Sequence, residues 1–464
     1  MNVVENKYIP VKYNGLYYIF DALNRWNYPC TENIYNLFCE KSYQQILNMY
    51  SSGNCDVEFM KFMEILSVSN QVNSYYLYSY PQVKRQDVVL SLAKVPHIVL
   101  ELTQKCNLAC VYCCNGSLYE QGKRTSKQSS KNIIGYLQTL LTLRMENHIN
   151  TPFRLSFYGG EPLLCMHTIK ESVSLVSSMM HNVNVSYGIT TNGALLDKNM
   201  EYLVEHKFHV LISLDGNKYN NQYRIYKNGK ESFYDVLKNI RRLYSMYPIF
   251  FKENVEFSTV LHGKSNYMDA ISFFSQWNKL PIFSPVINIG VRKNIGKYQE
   301  VWNLHNYSSK EIEVFKKTFP KEYYKLFPAV NGKSYLWLKE TTALVDSVDE
   351  LLYDEYKIYP GNNCVLFSSK VFVAEDGKIY LCEKVSRKFV FGKLTEGNVV
   401  IYLKRINRYY AEITQIFQSK CLGCYKSCGC NCCFFAEREK VESKKCFCDK
   451  AEACSELHNM LNEN

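Results

Sequence analysis

The stretch that decides the fold is "HIVLELTQKCNLACVYCC", residues 97–114. Its first seven residues read as an apolar β-strand, and four thiols then fall within nine positions, 106 to 114. Such crowding is a poor way to build a hydrophobic core and a good way to hold metal. Cys106, Cys110 and Cys113 have the spacing C-x3-C-x2-C. Three thiolates on one short loop can converge on a cubane cluster and leave its fourth iron without a protein ligand. Structural zinc sites normally want four protein ligands, and electron-transfer ferredoxin clusters take four cysteines. Cys114 could supply a fourth, but adjacent side chains diverge in most local geometries, so it reads as packing. A zinc knuckle completed from elsewhere in the chain stays open at this point.

The cysteine distribution favours metal over disulfides. Of 19 cysteines, three lie early (Cys30, Cys39, Cys55), five fall between 106 and 165, none between 166 and 363, and eleven between 364 and 454. A chain of 464 residues does not need disulfide staples. The start, "MNVVENKYIPVKYNG", has no continuous apolar run of the signal-peptide kind, and no stretch of about 18 apolar residues could cross a bilayer. A cytoplasmic protein is expected. The formal charge of +11 decides little. Its basic residues are dispersed, no zinc-finger, RNP-like or P-loop pattern occurs, and neither nucleic acid nor membrane is an expected partner.

Along the chain, residues 1–90 read as a small module. "YIPVKYNGLYYIFD" (8–21) gives two strands around Asn14-Gly15, a hairpin signal. One helix is expected through "NIYNLFCEKSYQQILNMY" and another through "DVEFMKFMEILSV", making a winged-helix-like unit, with 78–87 as linker. From there the rhythm becomes strand then helix. Strands are expected at 97–103, 153–160, 184–193, 209–216, 255–261 and 285–291, with helical segments between them. This alternation implies a parallel sheet with helices outside and the site on the rim where the strands end. Residues 301–360 read as an irregular bridging region and 361–464 as a cysteine-rich domain. In the latter, "KVFVAEDGKIYLCE" (370–383) forms a hairpin turning at Asp376-Gly377.

Two motifs here resemble those of the radical S-adenosylmethionine (SAM) superfamily. Cys106, Cys110, the aromatic Tyr112 and Cys113 match its C-x3-C-x-Φ-C signature, and "SFYGGEP" (156–162) matches its Gly-Gly-Glu segment after the second strand. The resemblance implies an α/β fold, a partial (β/α)6 TIM-like barrel over 91–300. It also implies a [4Fe–4S] cluster on the three cysteines, with SAM on the free iron. Gly159 and Gly160 would let backbone approach a ligand, and the Glu161 carboxylate would be available to the SAM ammonium group. Thr190, Asn192, Ser213 and Asp215, in "GITTNG" and "ISLDG", resemble the SAM- and substrate-facing rims of related enzymes. Arg292 is a candidate partner of the SAM carboxylate.

The eleven C-terminal thiols exceed one cluster's demand; eight would serve two cubanes and leave three spare. Cys364, Gly377 and Cys382 resemble the opening of the SPASM extension, which carries auxiliary [4Fe–4S] clusters in radical SAM peptide-modifying enzymes. Cys421, Cys424, Cys428 and Cys432 follow as C-x2-C-x3-C-x3-C, two residues shorter in the middle than the usual pattern. Cys446 completes the expected set, and zinc in some positions is the alternative. The segment around 360–385 also resembles maturases of ribosomally made peptides, particularly thioether-forming ones. Where relatives carry His-Asp, this chain has Asn220 and Asn221, with Arg224 keeping the basic position. A catalytic role based on that aspartate does not transfer, and the catalytic residues stay unassigned.

The implied activity is reductive cleavage of SAM and hydrogen abstraction from a precursor peptide, installing thioether cross-links. Carbon–carbon linking, sulfatase-maturase-like oxidation and a non-enzymatic iron–sulfur or zinc scaffold are the alternatives. The N-terminal module resembles leader-recognition elements, which pair with an extended leader along a strand edge; strands 8–13 and 16–21 are the candidates. A reducing electron donor is the other expected partner.

Overall fold

The computed structural model describes residues 8–13, 15–21, 26–53, 55–72, 82–113, 115–116, 126–285, 343–344 and 366–416. The chain forms two compact units, one of residues 1–82, 328–363 and 406–464, the other of 83–327 and 364–405.

In the first unit, β1 (Tyr8–Tyr13) and β2 (Leu16–Asp21) pair antiparallel with Tyr13 opposite Leu16, the two-residue hairpin expected from Asn14-Gly15. A third strand, β3 (Trp26–Cys30), pairs with the other side of β2. β2 is therefore internal and has no free edge, which removes 16–21 as a docking edge. The expected single helix after Thr31 is two, α1 (Glu32–Glu40) and α2 (Tyr43–Ser51). The break has a local cause. Ser42 and Gln45 form a reciprocal capping box, with Ser42 N donating to Gln45 Oε1 at 2.9 Å. α3 (Val57–Val72) starts where Asp56 Oδ1 accepts from Phe59 N at 2.7 Å. Tyr8, Ile19, Tyr28, Ile34, Phe38, Ile46, Phe59 and Leu66 form this unit's core. A two-residue strand, β10 (Ala343–Leu344), runs parallel to β3 opposite Trp26 and Asn27.

The second unit opens with a helix in the expected linker, α4 (Arg85–Lys94), whose start is fixed by Lys84 N donating to Asp87 Oδ2 at 2.8 Å. Strand–helix alternation then follows: β4 (His97–Thr103), α5 (Ser126–Glu146), β5 (Phe153–Gly159), α6 (Met166–Met179), β6 (Val185–Thr191), α7 (Met200–Glu205) and β7 (His209–Ser213). Next come α8 (Phe233–Met246), α9 (Pro248–Asn254), β8 (Val255–Leu261), α10 (Tyr267–Ser275) and β9 (Ile282–Pro285). Strands β4 to β9 are parallel and adjacent in chain order. The sixth strand begins at Ile282, three residues before the expected start of 285–291. Ile282–Pro285 pair in register with Ser258–Leu261, whereas 286–291 lie outside the described residues.

The C-terminal hairpin, expected in a separate domain, continues this same sheet. β11 (Val371–Val373) pairs in parallel with Ile98–Leu100 of β4, filling the edge that the first strand of the series leaves open. β12 (Lys378–Tyr380), β13 (Gly392–Thr395) and β14 (Asn398–Ile401) extend it as an antiparallel meander. Among the described residues the result is a mixed sheet of ten strands, ordered from β14 to β9. Among the described residues, α11 (Leu403–Ile416) follows, and from Ile406 onward it belongs to the first unit. Buried Arg144, on α5, fixes the entry to β4 by donating to the carbonyls of Ala93 (2.8 Å), Val95 (3.0 Å) and Thr151 (2.7 Å). No helix among the described residues is long and apolar enough to cross a membrane.

Candidate functional site

Alternation along the strands sends every second side chain to one face. In β5, Phe153, Leu155 and Phe157 are buried, while Arg154, Ser156 and Tyr158 face a cavity of about 730 Å3. Residues from all six parallel strands line this one cavity, so the sheet curves around it. Cys106, Cys110 and Cys113 open onto it from the loop after β4, together with Gly159, Gly160, Thr190, Asn192 and Ser213.

The cysteine loop is fixed at three places. Two carbonyls at and beyond the end of β4 meet the backbone that follows β5: Gly160 N donates to Thr103 O at 2.8 Å and Glu161 N to Lys105 O at 2.9 Å. A Cβ on Gly159 would lie 2.4 Å from Thr103 O, and one on Gly160 would lie 2.2 Å from Lys105 O. The two glycines thus admit the backbone that leads into Cys106, a closer approach than the ligand contact expected of them. On the other side, the loop pairs like a strand with the segment after β7. Ala109 N donates to Ile225 O at 2.7 Å and Val111 N to Tyr223 O at 3.0 Å. Third, the Tyr112 hydroxyl donates to buried Asp215, which Arg224 grips through Nε (3.0 Å) and Nη2 (2.9 Å).

Glu161 and Asp215, both expected at the cofactor, face the protein instead. Glu161 Oε1 accepts from Thr191 Oγ1 (2.7 Å) and Leu163 N (3.0 Å), and Oε2 accepts from Asn192 N (2.8 Å). Complete burial pushes its carboxyl up to about 7 against the pull of those donors. Its task is to bind the turn after β5 to the end of β6, which holds Asn192 in place. Asn192 Nδ2 reaches Asn107 Oδ1 at 2.7 Å and Cys106 Sγ at 3.6 Å. Asp215 Oδ1 also accepts from Val260 N at 2.9 Å, joining β7's end to β8. His262 stacks on Tyr112 with centroids 5.9 Å apart, and its Nε2 contacts Asn220 O at 2.8 Å. Burial lowers the His262 pKa, favouring the neutral ring. Asn220 and Asn221 are buried, structural residues. Asn220 Nδ2 donates to Asn266 O at 2.6 Å, and Asn221 Oδ1 accepts from Asp215 N at 3.2 Å.

The donor set fits an iron–sulfur cluster with one thiol per iron. The three sulfurs open on one cavity and lie within electrostatic reach of one another. Among the described residues, no three His, Cys, Asp or Glu side chains gather as tightly as a single ion requires. Burial holds the Cys110 thiol up to about 12 and raises Cys106 as well, so cluster loading must displace protons from this loop. Leu108 N, 3.4 Å from Cys106 Sγ, and the Asn192 amide supply donors that favour the thiolate there.

Of the remaining expected ligands, Cys382 follows β12 and is not disulfide-bonded. Cys364, Cys421, Cys424, Cys428, Cys432, Cys446 and Arg292 lie outside the described residues. Sequence reasoning missed the tie from Tyr112 through Asp215 to Arg224. It also missed the polar lower lumen of His97, Arg154, His209 and Lys370, whose signal is a charged or imidazole side chain at the start of β4, β5, β7 and β11.

Comparison with known proteins agrees with this geometry. Residues 100–268 match the radical SAM superfamily. An uncharacterized protein of Methanocaldococcus jannaschii, MJ0907, is 29% identical over 308 residues, covering 66% of this chain and 90% of that one. The radical SAM cyclopropyl synthase TigE of Paramaledivibacter caminithermalis is 25% identical over 273 residues, 55% of this chain and 53% of its own. Among solved structures, anSMEcpe with bound AdoMet superposes with a TM-score of 0.51 at 19% identity, covering 79% of this chain and all (100%) of that one. Its form with AdoMet and the Kp18Cys peptide gives 0.50 at 19%, covering 79% and 98%. With the three-cysteine loop, the glycine turn and the curved parallel sheet brought onto one cavity, residues 100–268 carry a domain of the radical SAM kind.

Proposed function

We propose that this enzyme modifies a ribosomally synthesised precursor peptide, taking a hydrogen atom from it and installing thioether cross-links. The observation that carries the reading is the cavity itself. Barrel interiors are ordinarily filled by layers of branched apolar side chains. Here Ser156, Gly188, Thr190, Ser213, Ser258 and Ser284 face a lumen of about 730 Å3 with the three cysteines on its rim. That volume lies within the range of sites that admit a sizeable ligand. The peptide held in the anSMEcpe structure supports a peptide occupant, as does the resemblance of the C-terminal thiols to the SPASM pattern.

In this reading Cys106, Cys110 and Cys113 hold the [4Fe–4S] cluster, and the backbone at Gly159 and Gly160 with Thr190, Asn192 and Ser213 receives SAM. When bound, these cofactors supply the one-electron reduction and the 5′-deoxyadenosyl radical that removes hydrogen from carbon. The chain's contribution is position. The Gly160–Thr103 and Tyr112–Asp215 ties hold the cysteine loop beside the lumen. Cys364, Cys382, Cys421, Cys424, Cys428, Cys432 and Cys446 would hold two auxiliary [4Fe–4S] clusters. The N-terminal sheet would bind the leader by strand addition, and the outer edge of β1 is the candidate, since β2 is internal and β10 covers the start of β3.

Anaerobically reconstituted enzyme with dithionite should cleave SAM to 5′-deoxyadenosine, and Cys106→Ser should abolish it. Cleavage at the wild-type rate in that variant would refute the site. With a cysteine-bearing precursor, the product should lose two hydrogens per link and one alkylatable thiol. Loss of hydrogens with every thiol still alkylatable would favour carbon–carbon linking.

A further inference from the structure

The lower half of the lumen carries a cation that the radical chemistry does not use. Arg154 is the first inward residue of β5, and register places it beside His97 of β4. Its Nε is buried without a hydrogen-bond partner, and no carboxylate of the described residues pairs with it. The neighbouring charges are otherwise engaged. Lys370 Nζ pairs with Glu383 at 3.3 Å, and His97 Nε2 meets Ser156 Oγ at 2.7 Å. Glu256, two strands beyond Gly188, is exposed and makes no ion pair with Arg154. Room for the arginine stem comes from the adjacent strand, since a Cβ on Gly188 would lie 2.5 Å from Ser156 Oγ and 3.3 Å from Arg154 Nε.

SAM cannot satisfy this cation. Arg154 precedes Gly159 by five positions of one extended strand, roughly 16 Å at ~3.3 Å per residue. A cofactor whose amino group lies at the glycine turn keeps its carboxylate there too, because both groups share one carbon. An unpaired guanidinium facing the lumen instead suits a planar anion that accepts two parallel hydrogen bonds. We infer that Arg154 anchors a carboxylate-binding subsite across the lumen from Cys106, Cys110 and Cys113, which takes a carboxylate of the substrate. This rests on the peptide reading above, in which the carboxylate belongs to an Asp or Glu side chain or to the chain's end. The subsite would fix how far the substrate enters and so which C–H lies opposite the cluster loop.

The test uses reconstituted wild-type enzyme with SAM and follows phenylglyoxal modification of Arg154 by peptide mass spectrometry. Three probes separate the sources: Ac-Gly-Asp-Gly-NH2, Ac-Gly-Gly-Gly-OH and the neutral Ac-Gly-Asn-Gly-NH2. A charge-assisted pair corresponds to about 10- to 100-fold in affinity, so a matching carboxylate should protect at about a tenth, or less, of the concentration the neutral peptide needs. Protection by the aspartyl probe alone assigns a side chain, and by the free terminus alone a chain end. Equal modification with all three, or equal protection by the asparaginyl probe, overturns the subsite. If a precursor is modified while Arg154 labelling never changes, the inference falls and the peptide reading stands. If the acidic probes protect and no precursor is ever modified, the subsite stands and the peptide reading falls.

Discussion

Arg224 holds Asp215 through two hydrogen bonds, at 3.0 and 2.9 Å, with both side chains out of water. The pair lies under the cysteine loop, since Tyr112, between Cys110 and Cys113, hydrogen-bonds to the same carboxylate. Removing one member of a buried pair strands the other charge and costs about 3–5 kcal/mol, whereas replacing both is far milder. Asp215→Asn should therefore reduce iron bound by the three-cysteine loop. The double variant Asp215→Asn/Arg224→Met should regain part of it. Iron content and a thermodynamic cycle check this; additive losses would mean that the two residues act separately.

Gly160→Ala tests the approach of two backbones. The new methyl would sit 2.2 Å from Lys105 O and 3.0 Å from Cys106 N, backbone atoms that cannot swing away as the end of a flexible side chain would. Either the glycine turn or the cysteine loop must shift, at a cost of about 3 kcal/mol or more. The expected outcome is an enzyme that keeps its far-ultraviolet circular dichroism but binds substantially less iron at this loop. Normal loading would show that the loop tolerates displacement.

How much of this was legible in the sequence depended on whether the signal was local. The strands at 97–103 and 255–261 stand where the apolar runs put them. The helix break at Ser42 was also written locally, in a serine followed three residues later by glutamine. The start of the sixth strand was not, because "IFSP" is short and ends in proline, and its pairing with Ser258–Leu261 is a long-range contact that no local pattern shows. The site divides in the same way. Cysteine and glycine spacing located it, but polarity at a strand end does not say which way a carboxylate points. Glu161 and Asp215 turned inward because backbone N–H groups and Arg224 were there to receive them.

Glu101 of β4 joins Arg387, 286 residues away in sequence, across the sheet continuation. Nη2 lies 2.7 Å from Glu101 Oε1, Oε2 accepts from Glu375 N at 3.1 Å, and the guanidinium stands 4.8 and 5.0 Å from the Phe372 and Tyr380 ring centres. Arg387→Lys keeps the charge but loses the planar contact with both rings, and should recover little of what Arg387→Met loses. Hydrogen exchange in β11 and β12 should accelerate by about tenfold or more in either variant, as expected for losing on the order of 1.4 kcal/mol of local stability. Unchanged exchange would mean that backbone pairing alone holds the hairpin on β4.

His97 makes the lower lumen sensitive to acid. Burial first, then the charges of Lys370 and Arg154, pull its pKa down to about 4, so the folded protein keeps a neutral ring hydrogen-bonded to Ser156. An unfolded histidine protonates near 6.5. Between those values the unfolded chain binds the proton and the folded chain does not, so this contribution to stability is complete above about 6.5 and is lost as pH falls towards 4. Allowing for partial solvent exposure, the loss amounts to about 1–3 kcal/mol. His97→Gln keeps a side-chain polar group without the titration, and should flatten that part of the stability profile while leaving its neutral-pH end little changed. The nine histidine C2 proton signals, assigned by difference with this variant, should include one with a midpoint near 4. A midpoint at 6 or above for His97 would place the ring in water and remove it from the wall beside Arg154.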